Sequence, residues 1–103
     1  MNGRVVHFEI PFDDHERAHK FYEEAFGWRF EEYPELRYSV VQTGPTGPDG
    51  RPSESGYIGG GMLKRDSPAD RPMVTIGVDD IDEALARIEA LGGMKVLGRQ
   101  DVG

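Results

Sequence analysis

The sequence predicts an α+β fold in which one strand–helix–strand pattern is used twice. The acidic pair Asp13 and Asp14 recurs 66 positions later as Asp79 and Asp80. Alternating apolar residues precede both pairs, and an apolar stripe with helical spacing follows each of them. A repeat of this length predicts two related supersecondary units with a site between them. Positions at which the two copies differ are therefore the first candidates for function.

The first module begins with a strand and a helix. From residue 4 to residue 10 the chain alternates between an apolar face that carries Phe8 and a more polar face that carries His7 and Glu9. This period of two is typical of a strand. A capping aspartate then opens a helix that continues to about Phe26, where a glycine supplies the stop signal.

Three further strands complete the first module. Residues 28 to 33 and 36 to 42 are rich in aromatic and β-branched side chains, which favour strands. Residues 43 to 55 lack apolar periodicity and predict a long exposed loop. Residues 57 to 63 predict a fourth strand that three glycines at 59 to 61 interrupt, so a bulge or the close approach of another group is expected there.

The second module is predicted to be shorter than the first. Residues 1 to 63 form the first module of what we expect to be a single domain over 1 to 103, and residues 64 to 72 link it to a second module over 73 to 103. That module predicts a strand from Met73, a capped helix and a strand over about 94 to 98. The counterparts of two strands are absent, so we expect this incomplete module either to pair with another molecule, most simply in a homodimer, or to be completed by further sequence after residue 103.

The composition narrows the range of chemistry and partners. Twelve basic and 19 acidic residues give a net charge of -7, which opposes binding to nucleic acid or to an anionic membrane surface. The chain has no cysteine, which excludes disulfides, thiolate nucleophiles and cysteine-ligated metals. No apolar run approaches the roughly 20 residues of a membrane span. We expect a cytoplasmic protein.

The ordered motifs resemble those of one known superfamily. The segment HFEIPFDD opens the first module, FYEEAFGW closes its helix, GYIGGGM ends its sheet and VTIGVDDIDEALARIEALGG opens the second module. This series resembles the vicinal oxygen chelate superfamily, which includes glyoxalase I, bleomycin-resistance proteins and extradiol dioxygenases. The resemblance implies tandem βαβββ modules that form a cupped mixed sheet, with the second module incomplete at the C-terminus.

The resemblance also implies where a metal would bind. Metal-using members of the superfamily place ligands early in the first strand and near the end of the last strand of each module. His7 matches the first position, whereas Met73 stands at its counterpart and residues 59 to 61 offer no side-chain donor. Glu9 could add a second donor on the same face. A catalytic divalent metal usually needs at least three protein ligands, so we expect no cofactor, with His7 as the one matched metal position.

A cupped sheet without a metal still predicts a ligand site. The residues expected to contact a small organic ligand are His7, Glu9, Trp28, Tyr38, Met73 and Thr75. Each of them has a simpler alternative role, since a polar pair on a solvated sheet face and aromatic or methionine side chains in a core are common. His15 and His19 have the spacing of a helical metal clamp, but no HExxH motif accompanies them.

Three functions remain open from the sequence. The first is a glyoxalase/bleomycin-resistance-like protein that binds a small organic molecule in the cupped sheet without a complete catalytic metal site. The second is a metal-dependent lyase or dioxygenase of the same superfamily, with its ligands completed by further C-terminal sequence or by a partner chain. The third is a structural or regulatory dimer without a ligand. Whether the chain is an enzyme is left open.

Overall fold

A computed structural model describes residues 3 to 66 and 70 to 100. It confirms an α+β fold with a mixed, open, five-stranded sheet in the order β2-β3-β4-β1-β5, and with two helices. The chain divides into a larger unit, Val5–Ile76, which holds the whole sheet, and a smaller unit formed by the flanking segments. The elements are β1 (Val5–Phe12), α1 (His15–Phe26), β2 (Arg29–Tyr33), a 3-10 turn (Pro34–Leu36), β3 (Tyr38–Gln42), β4 (Gly60–Lys64), β5 (Met73–Ile76) and α2 (Ile81–Ala90).

Helix α1 is closed at both ends by the residues that the sequence indicated. The Asp14 carboxylate accepts a hydrogen bond from the backbone N–H of Arg17 at 3.2 Å, which satisfies one of the free donors of the first turn. At the other end Gly27 takes the left-handed conformation with φ 75°, and its N–H bonds to the Glu23 carbonyl. Glycine adopts this conformation without strain, so the helix ends there.

The core of the larger unit lies between α1 and one face of the sheet. Phe12, Val41 and Met62 are buried, and Met62 is fully enclosed. The apolar side chains that pack around these three are Phe8, Ile10, Ala18, Tyr22, Trp28 and Phe30. The apolar face of β1 and the apolar stripe of α1 therefore meet as their sequence periodicities predicted. The opposite face of the sheet carries the polar side chains of β1.

The glycine run lies where the sheet is most crowded. β4 pairs in parallel with β1, so that Phe8 lies opposite Gly60, and a side chain at Gly60 would collide with the Phe8 ring. The predicted strand over 57 to 63 instead begins at Gly60. The Ile58 carbonyl accepts a hydrogen bond from the Thr43 hydroxyl at 2.7 Å, so this segment is bonded to the preceding loop before the ladder starts.

The strand β3 also starts later than predicted. Pro34 begins a 3-10 turn, which Arg37 closes in the left-handed conformation with φ 50°. The ladder with β2 therefore begins at the pair Tyr33 and Tyr38. Proline fits the first position of such a turn because its φ is already fixed and it has no N–H to satisfy.

In the smaller unit, the capped helix was predicted correctly and the strand after it was not. The Asp80 carboxylate accepts a hydrogen bond from the Glu83 N–H at 3.0 Å and so caps α2. Residues 94 to 98 form no strand, although their side chains have strand-like composition. No strand in the described part of the chain pairs with this segment, and an extended segment without a ladder leaves its backbone groups unsatisfied.

A single methyl group at Gly60 should destabilise the fold. We expect Gly60→Ala to lower the free energy of unfolding by about 1–3 kcal/mol, because the Phe8 ring has to leave its position in the core. Urea denaturation followed by circular dichroism measures this. Gly98→Ala is the matched control, since nothing lies within 4 Å of its Cβ position. Equal stability of the two variants would contradict the packing described for β1 and β4.

Candidate functional site

Four of the predicted site residues share the face of the sheet that α1 does not cover, called here the open face. β5 pairs antiparallel with β1, and this register sets His7 opposite Thr75 and Glu9 opposite Met73. Directly paired residues project to the same side of a sheet. The alternation of β1 therefore brings these four side chains together on one surface.

Tyr38 joins two of them in a hydrogen-bonded group. His7 Nε2 lies 3.1 Å from the Tyr38 hydroxyl and 3.3 Å from Glu9 Oε1. The Tyr38 hydroxyl in turn lies 3.5 Å from Glu9 Oε1, at the long limit of a hydrogen bond. We call these three residues the polar cluster. It places an imidazole, a phenol and a carboxylate within reach of one another.

A glycine makes the polar cluster possible. Tyr38 is on β3 and its two partners are on β1, whereas β4 lies between these strands. At Gly61, the β4 residue paired with Glu9, a side chain would collide with the Tyr38 hydroxyl and ring. The phenol thus crosses β4 where no side chain stands. The glycine run predicted a close approach at this point, but the sequence did not show that the approaching group is the tyrosine.

The carboxylate of Glu9 is only partly satisfied. Its side chain is 23% exposed, and its Oε2 atom is buried with no hydrogen-bond partner in the described parts of the chain. A buried acceptor without a donor costs about 1–3 kcal/mol, and more when it is charged. Oε1 meets His7 and Tyr38, so one oxygen is engaged and the other is free to accept.

Tyr38 remains a neutral hydroxyl over the whole physiological range. Burial, the larger cause, and the neighbouring Glu9 carboxylate raise the pKa of Tyr38 to about 12. Both effects disfavour a phenolate, because they add desolvation and like-charge repulsion to its formation. The phenol therefore acts as a hydrogen-bond donor and not as a base.

The residues present do not fit a catalytic divalent metal. Among the described residues, no group of three or more histidine or carboxylate side chains has an arrangement that would hold one. His7 and Glu9 are two donors, and the paired Met73 offers only a thioether, which hard divalent ions disfavour. The glycines of β4 offer no side-chain donor. The arrangement does not support a reaction step that runs through a metal at this site.

The helical pair His15 and His19 forms a separate network on the other face. His19 Nδ1 lies 3.2 Å from Glu32 Oε1, and its Nε2 lies 2.9 Å from the Ser39 hydroxyl. His15 Nε2 is 3.8 Å from the same Glu32 oxygen. Burial, the largest influence, lowers the pKa of His19. The pair ties α1 to β2 and β3.

Trp28 is not brought together with the other predicted ligand contacts. Its ring stacks on Tyr22 at 4.8 Å and meets Phe8 edge-on at 5.7 Å. These partners belong to the layer between α1 and the sheet, so Trp28 packs on the face opposite the polar cluster. A tryptophan just before a strand carries no alternation signal that would assign it to either face.

Two cavities border the region of β1 and β3. A cavity of about 200 Å³ adjoins His7 and Val40, with the loop at Thr46 and Arg51 on its other side. A larger cavity, of about 540 Å³, lies at the other end of these strands, where Phe12 and Arg37 are among its lining residues. The polar cluster is thus bounded by a small cavity at His7, and most of its surface belongs to the open face.

The described part of the chain contains no helix long and apolar enough to cross a membrane.

Comparison with known proteins gives two matches. Residues 4 to 44 match a family described as bleomycin resistance protein-like N-terminal. A glyoxylase-like domain-containing protein from Didymella fabae is 29% identical over 100 residues, which cover 93% of this chain and 73% of the relative. The matched family segment includes β1, α1, β2 and β3, and so two of the three strands around the polar cluster.

The titration of Tyr38 tests the polar cluster. We expect the difference in ultraviolet absorbance between the native chain and Tyr38→Phe to show a phenol that ionises near pH 12 instead of the usual value of about 10. Glu9→Gln should lower this pKa only in part, because burial remains. The raised pKa stabilises the folded state fully below about pH 10, and this contribution falls as the pH rises toward 12. A Tyr38 titration at the ordinary pH would contradict the geometry.

Proposed function

We propose that this chain, whose sequence similarities and fold support its placement in the vicinal oxygen chelate superfamily, binds a small organic molecule on the open face of its sheet. The bound molecule is held by hydrogen bonds and apolar contact, without a catalytic metal. The binding residues are the polar cluster on β1 and β3, together with Met73 and Thr75 of β5.

The free oxygen of Glu9 carries the proposal. Oε2 is buried and lacks a donor among the described residues, while Oε1 of the same carboxylate has two neighbours. A ligand that turns the partly exposed Glu9 side chain and donates an O–H or N–H group to Oε2 would remove the cost of the unmade hydrogen bond. The preferred ligand therefore carries a hydroxyl, amide N–H or ammonium group at the end that enters the cluster.

The surroundings of the polar cluster add two further preferences. Met73 lies opposite Glu9 and presents an adaptable apolar surface, which suits a ligand body of no fixed shape. Thr75, opposite His7, adds a hydroxyl that both donates and accepts. The net charge of -7 favours a neutral or cationic ligand over an anionic one at this face. The same charge supports the absence of a nucleic-acid partner, and a cytoplasmic location stays a prediction.

A matched pair of probes tests the donor requirement. We expect phenol to give saturable shifts at the amides of His7, Glu9 and Thr75 in nuclear magnetic resonance spectra, and its methyl ether, anisole, to bind more weakly because it has no donor. Glu9→Gln should weaken phenol binding about tenfold or more, the ratio expected for a hydrogen bond to a charged group.

Glu31→Gln is the control for the loss of a negative charge. Glu31 lies on the edge strand β2, where its carboxylate accepts a hydrogen bond from the Tyr33 hydroxyl at 3.0 Å. This variant should bind phenol as the native chain does. Equal binding of phenol and anisole, or equal loss in the two variants, would argue against Glu9 as the acceptor.

We also propose that the chain is a homodimer that uses β5. This strand is at the edge of the sheet, and Val74 and Ile76 are 63% and 53% exposed on it. An apolar edge strand is a ready template for pairing with a second copy. Light scattering after size-exclusion chromatography should give twice the chain mass of 11.5 kDa, and Val74→Lys should give the single mass. A native chain of single mass would contradict the dimer.

A further inference from the structure

A second cavity of the larger unit extends from the polar cluster residue Tyr38 toward the start of α1. It occupies about 540 Å³ between the start of α1, the 3-10 turn and the end of β4, and we call it the end cleft. Among its lining residues are Phe12, His15, Glu32, Pro34, Arg37 and Lys64. Tyr38 belongs both to this cleft and to the polar cluster. His7 and Glu9 do not line the cleft, so the cleft is a separate candidate for a ligand.

The carboxylates around the end cleft are already engaged. Asp13 forms an ion pair with Arg65 at 2.9 Å, and Asp14 caps α1 through its side chain. Glu32 lies 3.2 Å from His19 Nδ1. Each of these acids therefore has a partner, and the charge of Asp13 is offset by the Arg65 guanidinium.

The cations that line the cleft, Lys64 and Arg37, have no acidic partner among the described residues. Lys64 Nζ donates to the backbone carbonyl of Asp13 at 2.7 Å, and no carboxylate in the described segments forms an ion pair with it. Arg37 likewise has no side-chain hydrogen bond or ion pair with any described residue. In a chain with an excess of acids, two cations that line one cleft and lack an acidic partner leave a site for an anion.

The backbone of Arg37 has an unusual conformation. Arg37 is the one described residue other than glycine with a positive φ, at 50°. This conformation is costly for a side chain with a Cβ, and glycine or asparagine would adopt it more readily. The 3-10 turn that Pro34 begins fixes this conformation, because Arg37 closes the turn with its N–H bonded to the Pro34 carbonyl. The turn therefore sets the place of Arg37 in the lining of the cleft.

The floor of the cleft is apolar. Phe12 is 8% exposed and belongs to the core, and Pro34 lines the same cavity. A rigid aromatic ring and a proline ring bury apolar ligand surface at little entropic cost. We infer that the end cleft binds a small organic carboxylate, whose charged group meets Arg37 and Lys64 and whose apolar body lies on Phe12 and Pro34.

Phenylacetate and its neutral amide, phenylacetamide, test this inference. We expect phenylacetate to give saturable nuclear magnetic resonance shifts at the amides of Phe12, Arg37 and Lys64, with a Kd of about 1 mM or tighter. Phenylacetamide has the same body without the charge, so it should bind at least about tenfold more weakly if the cations carry the recognition. Equal binding of the two probes, or no saturable shift at the cleft, would overturn the inference.

Charge-matched variants locate the anion site. Arg37→Gly removes the guanidinium and relaxes the backbone, because glycine accepts the positive φ, so loss of the fold is not expected. This variant and Lys64→Gln should each weaken phenylacetate binding about tenfold. Arg29→Gln, outside the cleft, removes the same charge and should leave binding unchanged. An equal loss with Arg29→Gln would show a general charge effect and overturn the site.

Phenylacetate binding in the end cleft should not depend on the polar cluster of the open face. Glu9 does not line the end cleft, so Glu9→Gln should leave phenylacetate binding within about twofold of the native value. A large loss of phenylacetate binding in this variant would show that the carboxylate of phenylacetate binds on the open face, and this would overturn the inference. Phenol binding at the polar cluster, measured in Arg37→Gly, should be unchanged for the same reason.

Discussion

The passage of Tyr38 over Gly61 is the contact on which the open face depends. β4 separates β3 from β1, and only a residue without a side chain lets the phenol cross it to reach His7 and Glu9. One glycine thus converts two strands that are not neighbours into one polar cluster. The adjacent Gly60 performs the equivalent task on the other face, where it admits the Phe8 ring to the core. Gly60 therefore makes room for a side chain in the core, and Gly61 makes room for a side chain on the open face.

One face of the sheet packs against α1, and the other face carries the polar cluster. On the face under α1, aromatic and aliphatic side chains enclose Met62 and Val41, and the polar atoms there are paired, as in the bond between Ser39 and His19. On the open face, a buried carboxylate oxygen of Glu9 has no hydrogen-bond partner among residues 3 to 66 and 70 to 100. Folded proteins rarely keep such an atom, because its desolvation is not repaid. This contrast is the reason for proposing that the open face binds a ligand.

The sequence predicted the periodic parts of this structure and missed the parts that depend on distant neighbours. The alternation of β1 placed His7 and Glu9 on one face, and the aspartate and glycine signals located both ends of α1. Neither the face chosen by Trp28 nor the failure of residues 94 to 98 to pair is a local property, since each depends on which strand or helix lies alongside. Tyr38 was named as an aromatic contact, but its role as a hydrogen-bond donor required the register of three strands. Arg37 gave no signal, because its positive φ follows from the turn that Pro34 begins.

The parallel pairing of β1 with β4 has a consequence for how the open face comes into being. Residues 8 and 60 are paired in the ladder of β1 and β4, so this ladder closes a stretch of chain that contains α1, β2, β3 and the long loop. Such pairing is non-local, so bringing the two strands together costs chain entropy before their contacts can stabilise the pair. Formation of the open face therefore carries a large closure entropy, which the ladders and the core of the larger unit have to offset. A molecule bound there would contact β1 and β5, the first and last strands of the Val5–Ile76 unit, and its binding would stabilise the folded state of that unit.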